Sequence, residues 1–217
     1  MSYGLTFTNN DNSVTLDSEF SRLVILDSGT WAGSGGIGIA FSSVITTDEP
    51  PLVFVRPDQD DYFASCLVQG GARNWNSFRF NTLKGSLSRG KWFIAAFKSA
   101  PIADYGLRLW DATSKIIFDS GTPCAQFTRT ISAWNYLGAS QTQPGVYRYN
   151  WSAFSPTNTG DYMLLNNIAM DMAGTVSRQG AVQAFWDYGG NRVVIQATGV
   201  DLPTVQYISI VFAKPIS

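Results

Sequence analysis

Residues 3–18 read YGLTFTNNDNSVTLDS and residues 105–120 read YGLRLWDATSKIIFDS, and the two stretches align without a gap. Tyr, Gly, Leu and the closing Asp-Ser are identical, while Phe7/Leu109, Val14/Ile116 and Leu16/Phe118 keep apolar character. In each copy an alternating segment breaks at a polar run (residues 9–13 and 111–115) and then resumes. Alternation puts apolar side chains on one face of a pleated strand, and a run of Asn, Asp, Ser and Thr is turn chemistry. Each copy therefore reads as a β-hairpin.

The ends of the two halves echo each other as well. Residues 92–97 (WFIAAF) and 207–212 (YISIVF) share an aromatic start, apolar spacing and a final Phe. A tandem pair of units follows, one over residues 1–102 and one over 103–217, each opening with a hairpin and closing with a strand. Between these ends, Ile37, Ile39 and Phe41 share one strand face, and Ile208, Ile210 and Phe212 share another. Leu52 to Val55, Phe78 to Phe80, Val182 to Trp186 and Val193 to Gln196 also read as strands. The last two are joined by the turn-forming run 187–191 (DYGGN). In 161–174, Leu164, Ile168 and Met172 recur every fourth residue, which fits either a short helix or a strand and turn. The fold class expected is all-β, with two related antiparallel sandwich-like units.

Composition narrows the function. Charged residues make up 14% of the 217-residue chain, against about 25% in ordinary domains, and aromatic residues match them at 14%. Such a chain has the apolar content to build a core and is not intrinsically disordered. A net charge of −1 supplies no basic field for a nucleic-acid backbone. Histidine is absent and Glu occurs only at Glu19 and Glu49, which removes imidazole catalysis and His-ligated zinc. The polar start does not read as a secretory leader, and no apolar run approaches the ~20 residues of a membrane span. Cys66 and Cys124 read as packed thiols, and their spacing establishes no disulfide. The expectation is a non-enzymatic protein made in the cytoplasm, with no cofactor and no metal.

The opening motif resembles that of a group of small proteins encoded among the tail genes of tailed bacteriophages. These begin Met-Ser/Ala-Tyr-Gly-Leu, run through an Asn/Asp-rich turn and end the hairpin in an apolar residue followed by Asp-Ser. The matching residues are Tyr3, Gly4, Leu5, Asn9, Leu16, Asp17 and Ser18, and again Tyr105, Gly106, Leu107, Asp111, Phe118, Asp119 and Ser120. The loops at 29–36 and 141–144 fall outside the pattern. The resemblance implies an all-β structural component of the virion tail, near the baseplate or tail tip, with no catalytic or metal residues. Its partners would be other tail proteins and copies of itself, with threefold or sixfold symmetry suiting a tail axis. The two hairpins are the expected assembly elements.

Candidate sites outside the hairpins are few. Asp58, Asp60 and Asp61 could gather calcium, but the full loop spacing with its distal Glu is missing and a solvated turn is favoured. Asp17 with Glu19 has no supporting motif for glycoside cleavage. Trp75 sits in a polar stretch (residues 72–77, ARNWNS) and is expected to be exposed, as suits sugar stacking or a protein hot spot. Tyr147, Tyr149 and Trp151 alternate along one strand face as core packing or as an aromatic platform. They support an alternative reading, a tail module recognising host glycan or a pilus.

Overall fold

The computed structural model describes residues 6–8, 14–17, 22–83, 85, 87–99, 102–157, 159–176 and 180–216. Tyr3, Gly4, Leu5, Ser18 and Glu19 lie outside them. The first half contains β1 (Thr6–Thr8), β2 (Val14–Asp17), β3 (Val24–Gly33), β4 (Gly36–Ile45), β5 (Leu52–Pro57), β6 (Asp61–Gly71), β7 (Asn74–Thr82) and β8 (Ser88–Ala96). The second contains β9 (Arg108–Trp110), β10 (Ile116–Asp119), β11 (Cys124–Ile131), β12 (Asn135–Gln143), β13 (Val146–Phe154) and β14 (Tyr162–Leu164). It continues with β15 (Asp171–Met172), β16 (Gly180–Ala181), β17 (Gln183–Asp187), β18 (Arg192–Gly199) and β19 (Ile210–Ile216). The protein is all-β and antiparallel, as the alternation predicts.

Both hairpins form, and they share one register. Thr6 pairs Asp17, Phe7 pairs Leu16 and Thr8 pairs Val14. Arg108 pairs Asp119, Leu109 pairs Phe118 and Trp110 pairs Ile116. Each ladder slips at the same aligned step, so the repeat extends to the bulge.

The rest of each half follows one pairing scheme. β8 lies between β3 and β5, and β19 lies between β11 and β14. β7 lies between β4 and β6, and β18 lies between β13 and β17. The halves meet through strands at corresponding places: β5 with β14, β6 with β17 and β3 with β11, each pair antiparallel. A local two-fold arrangement of two copies produces that pattern. The result is a closed barrel, β11-β19-β14-β5-β8-β3, against a seven-stranded sheet, β12-β13-β18-β17-β6-β7-β4. Both are built from strands of both halves.

The closing strands fall only partly where the echo put them: β8 ends at Ala96 and β19 begins at Ile210, which leaves Phe97 and Tyr207, Ile208 and Ser209 outside the strands, and the register differs too. The β3–β8 ladder slips opposite Ala95 and Ile94, and the β11–β19 ladder slips opposite Ala213 and Phe212. Matching these bulges aligns Ile94, not Phe97, with Phe212. Tyr207 precedes β19 and is 83% exposed.

Alternation divides the barrel residues between two clusters. Val53, Val55, Trp92, Ile94 and Phe212 join Phe63, Phe78, Phe80, Trp151 and Trp186 of the sheet in the main core. Phe54, Phe93, Ala95, Leu164 and Ala213 form a second cluster on the other side of the same strands. Side chains of this size contribute about 1.5–3 kcal/mol each when fully buried. Trp31 caps the main core edge-on to Phe80, with ring centroids 5.4 Å apart. That close approach requires Gly90, because a Cβ there would lie 2.3 Å from the Trp31 ring. The Trp31 indole N–H donates to Ser88 Oγ at 2.9 Å, and Ser88 donates to the Asp61 carboxylate. Asp61 and Ser88 are both fully buried. This polar chain ties sheet to barrel, and it explains why Asp61 is not part of a solvated turn.

The segment 161–174 resolves as strand β14, a 3₁₀ turn at Asn166–Ile168 and strand β15. Leu164, Ile168 and Met172 are all buried, so the four-residue spacing marks burial without a helix.

Because each large sheet needs both halves, residues 1–102 and 103–217 expressed separately are expected to be unfolded by circular dichroism. Co-expressed, they are expected to co-purify as a folded pair. Independent folding of either fragment would contradict this.

Candidate functional site

The second hairpin shows what the repeated motif does. Asp119 is buried, and its carboxylate accepts from the backbone N–H groups of Ala103 and Gly121, each at 3.0 Å. Its other oxygen accepts from Arg108 Nε at 2.7 Å. The Ser120 hydroxyl accepts from Leu107 N–H at 3.1 Å, and Ser120 N–H donates to the Leu107 carbonyl at 2.9 Å. Gly106 has φ of +136°, and a Cβ there would lie 2.0 Å from Ser120 Oγ. Gly, Leu, Asp and Ser of the motif therefore form one locked entry to the hairpin. At its tip Asp111 accepts from the N–H groups of Thr113 and Lys115 and from the Thr113 hydroxyl, an Asx-type turn.

The hairpin packs on the body through one side. Ile117 is buried, Ser99 donates to the Ile117 carbonyl at 2.8 Å, and the Arg22 guanidinium lies 4.8 Å from the Phe118 ring centroid. Several of its other residues face out. Tyr105 is 95% exposed, and Leu107 and Trp110 are also exposed. Trp110, which sequence reading passed over, is the most exposed of the seven tryptophans. Its place on a hairpin arm opposite a polar turn is the signal that could have singled it out.

Trp75 corrects an expectation. It is half-buried and rests on the main core, because its indole N–H donates to the Thr47 carbonyl at 2.9 Å and Trp75 pairs with Ile45 of β4. Tyr147, Tyr149 and Trp151 do share a face, yet they differ in depth. Trp151 is fully buried, its N–H bound to the Thr204 carbonyl at 2.6 Å, and is unavailable to a ligand. Tyr149 stacks beside it at 6.0 Å and 14°, half-buried, and Tyr147 is exposed. Tyr136 of β12, missed by sequence reading, joins them at 6.5 Å from Tyr149. The residues paired with Tyr149 are Ala139 and Ala197, and Gly199 pairs with Tyr147. Tyr136 and Tyr147 are exposed at this surface, while the Tyr149 hydroxyl donates to the Val200 carbonyl at 3.0 Å.

The acids of the 58–61 run separate in the structure, and the Asp17/Glu19 pair lies outside the residues whose side chains are described. Asp61 turns into the core, while Asp60 accepts from Tyr188 N–H at 2.7 Å. Among the described residues no group of His, Cys, Asp or Glu side chains is arranged to hold a metal ion. An open groove of about 800 Å³ runs between Ile37 and Arg79 on one side and Met170 and Val182 on the other. Cys66 lines it, and burial pushes that thiol up to about 12, so it stays protonated and unreactive near neutrality. Both cysteines are free. No helix among the described residues is long and apolar enough to cross a membrane.

Comparison with protein-family models, curated proteins and solved structures finds no match to this chain.

The hairpin lock is acid-sensitive. Burial alone would raise the Asp119 carboxyl, but Arg108 and the N–H groups of Ala103 and Gly121 outweigh it and hold the group below its ordinary 3.8. Hydrogen bonds from Lys115 N–H and Thr113 hold Asp111 below 3.8 too. A carboxyl depressed in the folded state contributes stability above its unfolded value and loses it as pH falls through the folded value. Protection of the Ala103, Leu107 and Gly121 amides, taken relative to their intrinsic exchange rates, is therefore expected to fall selectively below pH 3.8. Asp119→Asn should abolish that acid step and lower Tm by several degrees. An unchanged pH profile in the variant would contradict the lock.

Proposed function

We propose that this protein acts by assembly and without catalysis, as a structural component of a bacteriophage tail, with the second hairpin as a docking element. The observation behind the reading is the nearly complete exposure of Tyr105 beside exposed Leu107 and Trp110, on a backbone held in place by Asp119 and Ser120. Large aromatic groups on a pre-ordered support are typical interface anchors, since little conformational entropy is lost when a partner covers them. The motif holding them is the one that resembles phage tail proteins, and Tyr3 and Leu5 are the matching residues of the first copy. Low charge suits broad, partly apolar contact with neighbours. The absence of histidine and the dispersal of the acids support the non-catalytic side of the reading. Location in the virion follows from the same reading.

Mass spectrometry of purified particles is expected to find the chain in mature virions. A Tyr105→Ala/Trp110→Ala variant should fold normally yet be lost from particles by roughly tenfold or more, as removal of two anchors implies. Absence of the wild-type chain from mature particles would overturn the proposal.

A second reading, recognition of host-surface glycan, is favoured by one observation: the open tyrosine surface of Tyr136, Tyr147 and Tyr149. Sugar rings present apolar faces that stack on such groups. On this reading Tyr147→Ala and Tyr149→Ala reduce host adsorption while particles keep intact tails. Normal adsorption by both variants would exclude it.

A further inference from the structure

Among the described residues β12 is the edge of the seven-stranded sheet, with β13 as its only strand partner. Its sequence, NYLGASQTQ, has no charged residue and no proline. Every residue of it except Gly138 is exposed. Sheet edges normally carry a device that prevents pairing with another chain, such as a lysine, a proline, an inward charge or a covering loop. Among the described residues the devices on β12 are bulges at the two ends, beside Leu137 and Thr142, and Gly138–Gln141 between them stays in continuous register with β13.

We infer that β12 is a self-pairing edge, through which two copies of this chain join antiparallel about a two-fold axis centred within Gly138–Gln141. Three observations select a second copy as the occupant. An uncharged strand meets its own copy without like charges across the axis, a juxtaposition that disfavours self-pairing elsewhere. The opposite edge of the sheet is not equally open: β4 gives its Ser42 N–H to the Asp27 carboxylate at 2.6 Å, so head-to-tail pairing of β12 with β4 meets an occupied donor. The chain also joins its own halves by antiparallel pairing of corresponding strands, with Tyr62 and Phe185 stacked 4.2 Å apart across the β6–β17 joint. The same geometry between molecules makes one continuous sheet of two copies. It sets the tyrosine surfaces of both copies on the same face, because Tyr136 lies on the face of Tyr149. This surface is separate from the exposed hairpin, so the inference does not depend on the proposed tail function.

Sedimentation velocity of the purified full chain over a range of concentrations tests it. A reversible dimer is expected for the wild type. Ser140→Lys and Ser140→Asp, each placing like charges across the axis, should each weaken the dimer by roughly tenfold or more. An equimolar mixture of the two variants should restore it, which a folding defect could not do. Either a wild type that stays monomeric throughout, or a dimer indifferent to both charges, overturns the inference. Loss of dimer without rescue in the mixture also overturns it. The hairpin variant Tyr105→Ala/Trp110→Ala should dimerise like the wild type, so failure at one surface is distinguishable from failure at the other.

Discussion

The structure depends on a joint between two halves that cannot complete their own sheets. β5 and β14 pair along the barrel wall, β6 and β17 across the sheet, and β3 meets β11 where the barrel closes. At the first of these, Phe54 faces Leu164, and Leu165 N–H reaches the Val53 carbonyl at 2.8 Å. Unpaired backbone groups at buried strand edges would each carry a desolvation cost, so each half satisfies the other. The joint also brings Phe54, Leu164 and Ala213 into one cluster and Phe63, Ala184 and Trp186 into the other. Hydrogen bonding and burial therefore act through the same strands.

Sealing the halves against each other limits where the molecule can meet anything else. Besides the groove lined by Cys66, the open surfaces of the described residues include these three: the outer side of the second hairpin, the tyrosine surface and the β12 edge. All three present apolar or uncharged groups at the surface. The hairpin is notable because its buried Asp119 fixes the backbone from within, leaving Tyr105 and Trp110 outward. In the second copy the motif has a physical basis: Asp119 and Ser120 hydrogen-bond the entry to the hairpin, and Gly106 leaves the space that Ser120 Oγ fills.

Local features were legible in the sequence and non-local ones were not. The hairpins, the turn at 187–191, the strands around Phe54, Phe78 and Val193, and the existence of matched closing strands all follow from alternation and turn chemistry within short windows. Even the shared bulge agrees with the gapless alignment. Closure of the barrel by strands of both halves was invisible, because no local pattern encodes which distant edge a strand will meet. The same limit misled the reading of single residues. Trp75 looks exposed among polar neighbours, yet Thr47, distant in sequence, accepts its indole proton. Asp61 looks like the third acid of a loop, yet Ser88 draws it into the core. Trp151 shares a face with two accessible tyrosines, but its strand dips under the 200–207 loop, where Thr204 closes over it.

Hydrogen exchange measured strand by strand across a denaturant series tests the central claim most directly. If the halves are one body sealed at the joint, amides of β5, β6, β14 and β17 exchange only through a single global opening. Outward amides of β12 in the monomer exchange rapidly. Separate transitions for the two halves, with joint strands opening before either core, would contradict the account.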